Sequence, residues 1–323
     1  NDVLYKGDIT KWKRFGNSLL LRIAMRYTKV DANKARQFVI LAVDPARGGV
    51  MQSNADNALV AYNAVITNAN TNTFHGSERA NFYLAKPFVD YLKTTQDPRL
   101  RVMAVKYAIP ANPLATAGAE NTNPADQEGM PVGYNENTIA TAPAFPGKIG
   151  AAWRYSQVNR RTVGKVDAPG FLITHSQTQL LLAEAAQRGF ITGNVKTFYD
   201  AGVKAHMTQM TQYDASAVIS TADQDAYLTL NPFNPASALQ QINTQYWISS
   251  FLVGSEAWAN FRRSGFPVLQ PNTYPNADPV VAGGFIRRLH YPAREYSVNP
   301  ANVAVAVSRQ GADNMATRIF WDK

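Results

Sequence analysis

The sequence predicts a mainly α-helical fold of successive helix hairpins that carries one long irregular face. Apolar residues recur at steps of three and four over much of the chain, and Asp, Thr or Asn stands at the head of several of these runs. Between residues 110 and 152 the helical period vanishes into a stretch holding six prolines, five glycines and five asparagines, the chemistry of turns.

Asp8 caps a first helix running to about Tyr27. Ile9, Trp12, Phe15, Leu19, Ile23 and Tyr27 form its apolar face, and Arg14, Arg22 and Arg26 fall largely outside it. Asp31 caps a second helix from Ala32 to about Val43, which Asp44 and Pro45 stop. A short turn makes the two a hairpin. A third helix is expected from Glu78 to about Thr94, with Phe82, Phe88 and Leu92 toward the core and Pro87 forcing a kink or a late start. The turn at Asp97 and Pro98 leads into an apolar strand-like run from Val102 to Ile109.

An irregular segment as long as the one that follows is a folded functional loop or a disordered linker. Tyr134, Phe145 and Trp153 give it something to pack, which favours the folded form. Thr174 and Gln177 then read as a capping box for a helix to Arg188, stopped by Gly189. Ala183, Ala185 and Ala186 are small enough for a second helix to approach. Asn194 opens that helix, which runs to about Thr211 with Phe198, Val203 and Met207 or Met210 inward. The polar stretch from Ser216 to Asn231 has room for a short helix. Beyond Pro232 and Pro235 comes the longest helical pattern, Leu239, Ile242, Tyr246 and Ser250, broken at Gly254 and resumed from Ser255 to Arg263. Hairpin after hairpin suggests a solenoid-like array. No strict repeat of about 34 residues is present, so the repeats are degenerate.

Composition removes several function classes. The 323 residues contain no cysteine, which excludes thiol chemistry, disulfides and cysteine-based zinc sites. The four histidines, His75, His175, His206 and His290, are scattered and form no metal-binding pair. The net charge of +9 is dispersed over short basic pieces with no recognised nucleic-acid module, so nucleic acid is not an expected partner. No apolar run approaches the about 18 residues of a membrane span. No nucleophile elbow, phosphate loop or dinucleotide fingerprint is present. Asp126 and Glu128 could supply the paired carboxylates of a glycan hydrolase, which stand about 5 to 9 Å apart in such enzymes, but two solvated loop acids are the simpler reading. No metal or cofactor is called for.

Four separated stretches carry a family resemblance. Gly7, Asp8, Lys11 and Trp12 lead into Asn17, Ser18, Leu19, Leu21, Arg22 and Ala24. Ala183, Glu184, Ala185 and Ala186 precede Gly189, Thr192, Gly193, Tyr199 and Gly202. Glu256 and Trp258 stand with Arg262, Arg263, Gly265 and Pro267; Arg288, Tyr291, Pro292, Glu295, Asn299, Asn302, Gly311, Trp321 and Asp322 follow. In this order and spacing they resemble the SusD/RagB-like outer-membrane nutrient-binding lipoproteins. The resemblance implies a single SusD-like domain over residues 1–323, with degenerate tetratricopeptide-type helix hairpins. It implies a lipid-anchored protein on the bacterial outer membrane, of the kind found in Bacteroidetes, facing the cell surface or the transporter lumen. Such a protein captures oligosaccharides or oligopeptides without chemistry for a SusC-like TonB-dependent transporter. The chain corresponds to the C-terminal two thirds of the family, so the lipid-bearing cysteine is expected upstream of it.

Physically, the block from Glu256 to Arg263 reads as a structural clamp, with Trp258 and Phe261 buried and Arg262 or Arg263 bonding a carboxylate or a helix end. Arg288, Tyr291 and Glu295 read as a polar network fixing the C-terminal tail. Ligand contacts are expected instead on the irregular face, residues 107–155. Sugar rings present C–H faces to aromatic side chains and hydroxyls to amides and guanidiniums. Tyr107, Tyr134, Trp153 and Tyr155 supply the aromatics, and Asn135, Asn137 and Arg154 the polar partners. Core packing is the competing reading of each aromatic. A hydrolase using Asp126 and Glu128, or a helical scaffold for partner proteins, are the alternative functions.

Overall fold

A computed structural model describes residues 2–76, 79–109, 120–150, 152–272, 279–281 and 283–322. Helices α1 (Ile9–Arg26) and α2 (Ala32–Val43) form the first hairpin, each opened by an aspartate, Asp8 and Asp31, that accepts from a third-position backbone N–H. Strand β1 (Ala58–Val60), the single-turn α3 (Ala69–Asn72), α4 (Lys86–Thr94) and the single-turn α5 (Leu100–Met103) follow. Pro87 sits in the first turn of α4, where a missing N–H costs nothing, so the late start holds; the expected start at Glu78 lies outside the described residues.

The expected strand from Val102 is shorter, because α5 runs to Met103 before β2 (Ala104–Tyr107) begins. Five short strands complete the irregular side: β3 (Glu120–Asn121), β4 (Lys148–Ile149), β5 (Ala152–Trp153), β6 (Gln157–Val158) and β7 (Gly170–Ile173). They form three small antiparallel sheets, β1–β7, β3–β2–β6 and β4–β5.

The second helical block comprises α6 (His175–Gln187), α7 (Val195–Tyr213), α8 (Thr221–Leu230), α9 (Ala238–Ser249) and α10 (Gly254–Ser264). Both halves of the Thr174–Gln177 capping box are present. Helix α6 packs against α7, α9 and α1, which joins the two blocks. Gly202 of α7 lies so close to α6 that a Cβ there would meet Leu180 Cγ at 2.7 Å. Two helices absent from the sequence reading, α11 (Ala293–Val298) and α12 (Pro300–Gln310), end the chain, separated by Asn299 ahead of Pro300.

One core runs through the helices, from Leu21 and Met25 of α1 through Leu92, Leu100 and Leu180 to Ile242 and Tyr246 of α9. The buried side of α1 is not the apolar stripe expected of it. Asn17, Ser18, Leu21, Ala24 and Met25 face inward, while Ile9 and Ile23 are 70% and 48% exposed. On a helix with 3.6 residues per turn these two sets lie on opposite sides. Hydrogen bonding explains the choice: Asn17 donates to the carbonyls of Arg47 and Gly49, and Ser18 Oγ accepts from Met51 N. Trp12 and Phe15 pack edge-on with Tyr5 around a separate small cluster.

The motif residues turn out to be each other's partners. Glu184 of α6, fully buried, receives a two-pronged bond from Arg263 of α10 at 2.6 and 2.7 Å. Glu256 accepts from Arg26 of α1 at 2.6 Å and from Tyr246 Oη at 2.8 Å. Arg262 and Arg263 are buried, whereas Trp258 and Phe261, expected inside, are only half-buried. Trp258 stacks on the Arg262 guanidinium, 3.8 Å from the ring centre. At the C-terminus Asp313 binds Arg288, the Tyr291 N–H and Tyr296 Oη, and Asp322 binds Arg287 and Arg318. Glu295 stands apart from that network and pairs with Asn299 one turn on.

Candidate ligand-binding site

The irregular face carries a small core of its own. Ile139, Ala142 and Tyr155 are buried there, with Tyr83, Met130, Tyr134, Phe145 and Trp153 packed partly against them. The described part of the segment, residues 120–150 and 152–155, therefore folds, and the reason lies in its aromatics. Tyr83, just before α4, lies edge-on to Trp153 at 5.9 Å and to Tyr155 at 6.4 Å, and its hydroxyl accepts from Trp153 N at 2.9 Å. The backbone of the β4–β5 hairpin is thus tied to the helical block, and Lys148 stands opposite Trp153 in its register.

Against this cluster opens a cavity of about 390 Å³, lined by Lys106, Tyr107, Ala108, Asn121, Pro146, Ile149, Trp153, Arg154, Tyr155 and Gln157. Strand β2 brings Lys106 and Tyr107, paired in register with Asn121 and Glu120 of β3, while β6 sets Gln157 against Val105. Four of the seven residues expected at the ligand face, Tyr107, Trp153, Arg154 and Tyr155, meet here. Tyr107 is buried, its hydroxyl accepts from Arg160 N, and the Arg160 guanidinium lies 5.0 Å from its ring centre. Burial, followed by the neighbouring Glu128 carboxylate, raises the pKa of the Tyr155 hydroxyl, which stays a neutral phenol at physiological pH. That hydroxyl and Trp153 Nε1 are buried without a hydrogen-bond partner among the described residues. Trp153 itself is half-buried and Arg154 exposed.

The other three expected residues do not line the cavity. Tyr134 is half-buried against the small core. Asn135 Oδ1 accepts from the N–H groups of Asn137 and Thr138, so both asparagines build the turn before the short helix at Ile139–Thr141. Sequence reasoning missed Lys106, Asn121, Pro146, Ile149 and Gln157. The signal for Lys106 was its place beside Tyr107 in a strand; Asn121 and Gln157 are brought in by pairing across residues distant in sequence.

The carboxylates of the hydrolase alternative are otherwise engaged. Asp126 accepts from the amides of Asn121 and Asn123 at 2.9 and 3.1 Å and is exposed, and Glu128 faces Lys106 Nζ at 3.3 Å. Among the described residues no group of three or more His, Asp or Glu side chains could hold a metal, and no helix is long and apolar enough to cross a membrane. A second cavity, of about 510 Å³, lies beside α9 and α10 and is walled by Trp247, Trp258, Phe261, Leu269, Phe285 and Met315, among others. Its aromatic wall comes with few polar groups to fix the orientation of a sugar.

Residues 1–292 match the SusD-like family, described as starch-binding and associating with the outer membrane. Several solved structures are similar over the whole chain. A chitin-binding protein is 31% identical with a TM-score of 0.82, the match covering 100% of this chain and 66% of that one. A chitin-binding SusD homologue from Flavobacterium johnsoniae is 26% identical with a TM-score of 0.78, covering 100% and 66%. A SusD homologue from Bacteroides uniformis is likewise 26% identical with a TM-score of 0.78, covering 100% and 67%. The chain spans about two thirds of the length of these proteins. No curated protein matches the sequence.

Proposed function

Since the chain belongs to the SusD-like family of starch-binding, outer-membrane-associated proteins, we propose that it captures oligosaccharides, without transforming them, in the cavity between Tyr107, Trp153, Arg154 and Tyr155. The observation that carries this reading is the position of Trp153. Its backbone is anchored by Tyr83, and its ring is half-buried at a cavity whose other polar side chains are Tyr107, Tyr155, the amides of Asn121 and Gln157, and the cations Lys106 and Arg154. An indole face covers the C–H side of a pyranose ring, and the Arg154 guanidinium meets its hydroxyls. Among the described residues the cavity lining holds no carboxylate to activate water or protonate a glycosidic oxygen, and in this reading a bound glycan leaves as it came.

In the same reading the protein sits at the cell surface, tethered to the outer membrane by a lipid borne on a segment upstream, and passes its ligand to a SusC-like TonB-dependent transporter. Family membership supports this role. The chitin-binding neighbours favour glycans over oligopeptides as the cargo.

The test is calorimetric titration of the protein with starch-, chitin- and pectin-derived oligosaccharides, with the free sugars analysed before and after. Saturable binding without new products is expected. Trp153→Ala should weaken it on the order of tenfold, as loss of an aromatic platform does, with the melting temperature checked to confirm folding. Release of shorter sugars, or unchanged affinity in the variant, would overturn the proposal.

A further inference from the structure

We propose that the oligosaccharide is acidic, and that Lys148 and Arg154 read its carboxylates. This rests on the cavity beside Trp153 being the glycan site and narrows its ligand to a charge class.

The argument is one of charge balance. The cavity lining contains two cations, Lys106 and Arg154, and no carboxylate. Lys106 is matched by Glu128 at 3.3 Å. Arg154 is not matched. Its backbone N–H bonds Gly147 O, its Nε reaches only the Lys148 carbonyl at 3.4 Å, and its terminal nitrogens have no partner among the described residues. Beside it, across the β4–β5 pair, the Lys148 ammonium lies 5.4 Å from the centre of the Trp153 ring and is within ion-pair range of no carboxylate among the described residues.

The acids of the loop do not supply the missing charge. Glu120 pairs with Arg161, Asp126 is held by Asn121 and Asn123, and Glu136 stands on the turn between Asn135 and Asn137, away from the lining. Residues 110–119 and Ala151, the stretches adjoining the site in sequence, contain no acidic residue at all. Two cations with no carboxylate partner among the described residues therefore stand at the aromatic site, Lys148 over the Trp153 ring and Arg154 in the cavity lining. A neutral glycan would leave both unanswered. A uronate would place a carboxylate within reach of a planar guanidinium fork and a mobile ammonium, the pairing that gives charge-assisted hydrogen bonds. Because both cations are exposed to water, the preference should weaken as salt shortens the screening length from about 10 Å at 0.1 M toward about 3 Å at 1 M.

The experiment titrates the protein with hexagalacturonate, maltohexaose and chitohexaose at low and high salt, alongside Lys148→Gln, Arg154→Gln and Trp153→Ala. Expected is hexagalacturonate binding on the order of tenfold more tightly than either neutral hexamer at low salt. That advantage should shrink with salt, and each charge variant should reduce it severalfold. Both charged side chains are exposed, so their variants should keep the parent melting temperature. If a neutral hexamer binds as tightly as the uronate and its binding depends on Trp153, the charge inference falls and the glycan site stands. If no hexamer binds in a Trp153-dependent way, both fall.

Discussion

Glu184 is held out of solvent between the guanidiniums of Arg263 and Arg188 and the Asn243 amide. Burial on its own would raise the carboxyl, but the two guanidiniums outweigh it and hold its pKa at about 2, below the ordinary 4.5. His206 shows the same sign for another reason: burial and the adjacent Arg99, which donates to its Nδ1 at 2.9 Å, push its pKa well below 6.5 and keep the ring neutral. A group whose pKa is lower in the folded than in the unfolded chain stabilises fully above its unfolded value, and that contribution is lost as the pH falls toward the folded one. Urea midpoints should therefore begin to drop below about pH 6.5 as the unfolded chain's His206 protonates, and drop further between about 4.5 and 2 as Glu184 is driven neutral. Removing one partner of a buried ion pair strands the other, so Glu184→Gln should cost about 3–5 kcal/mol at neutral pH. A variant within 1 kcal/mol of the parent would show that the Arg263 contact does not hold the fold together.

At the scale of elements, the helix boundaries were legible because caps and stops are local. The Thr174–Gln177 box, Asp8 and Asp31 announce their helices by hydrogen bonds within three residues. Which side of a helix is buried was less legible. In α1 the polar pair Asn17 and Ser18 is spent on carbonyls and N–H groups from residues 47–51, and that demand outweighs the apolar stripe on the far side. The same inversion occurs in α10, where Arg262 and Arg263 go inside because Glu184 and the Arg287 carbonyl await them, and Trp258 is left to cover Arg262 from outside. The α6–α7 contact is a third case in which a long-range neighbour decides. Gly202→Ala would gain up to about 1 kcal/mol in helix propensity, but its methyl would strike buried Leu180, whose backbone N is also only 3.2 Å away. Overpacking of this kind costs about 1–3 kcal/mol. Denaturant unfolding should show a net loss of about 1 kcal/mol, and a stabilised variant would mean that the helices can part at no cost.

Over the whole molecule, the helices form a frame with one continuous core, and the irregular face folds around a second, smaller core fixed to that frame through Tyr83. The sequence located this face from its prolines, glycines and asparagines, and four of its seven nominated residues converge on one cavity. Asn135 and Asn137 could not be sorted in advance, because a turn-forming asparagine and a ligand-binding one look alike until their hydrogen bonds are drawn. The acidic cargo proposed for the cavity came into view only once the partners of Lys106, Lys148 and Arg154 were known. The central claim is that glycans bind beside Trp153 and not at the larger apolar cavity of Trp247 and Trp258. The chain's five tryptophans make this directly measurable by ¹⁹F NMR of fluorotryptophan-labelled protein, each resonance assigned by substitution. On titration with an oligosaccharide, the Trp153 resonance should shift in a saturable way while those of Trp12, Trp247, Trp258 and Trp321 stay in place. Saturable shifts at Trp247 and Trp258 with Trp153 unmoved would contradict the account.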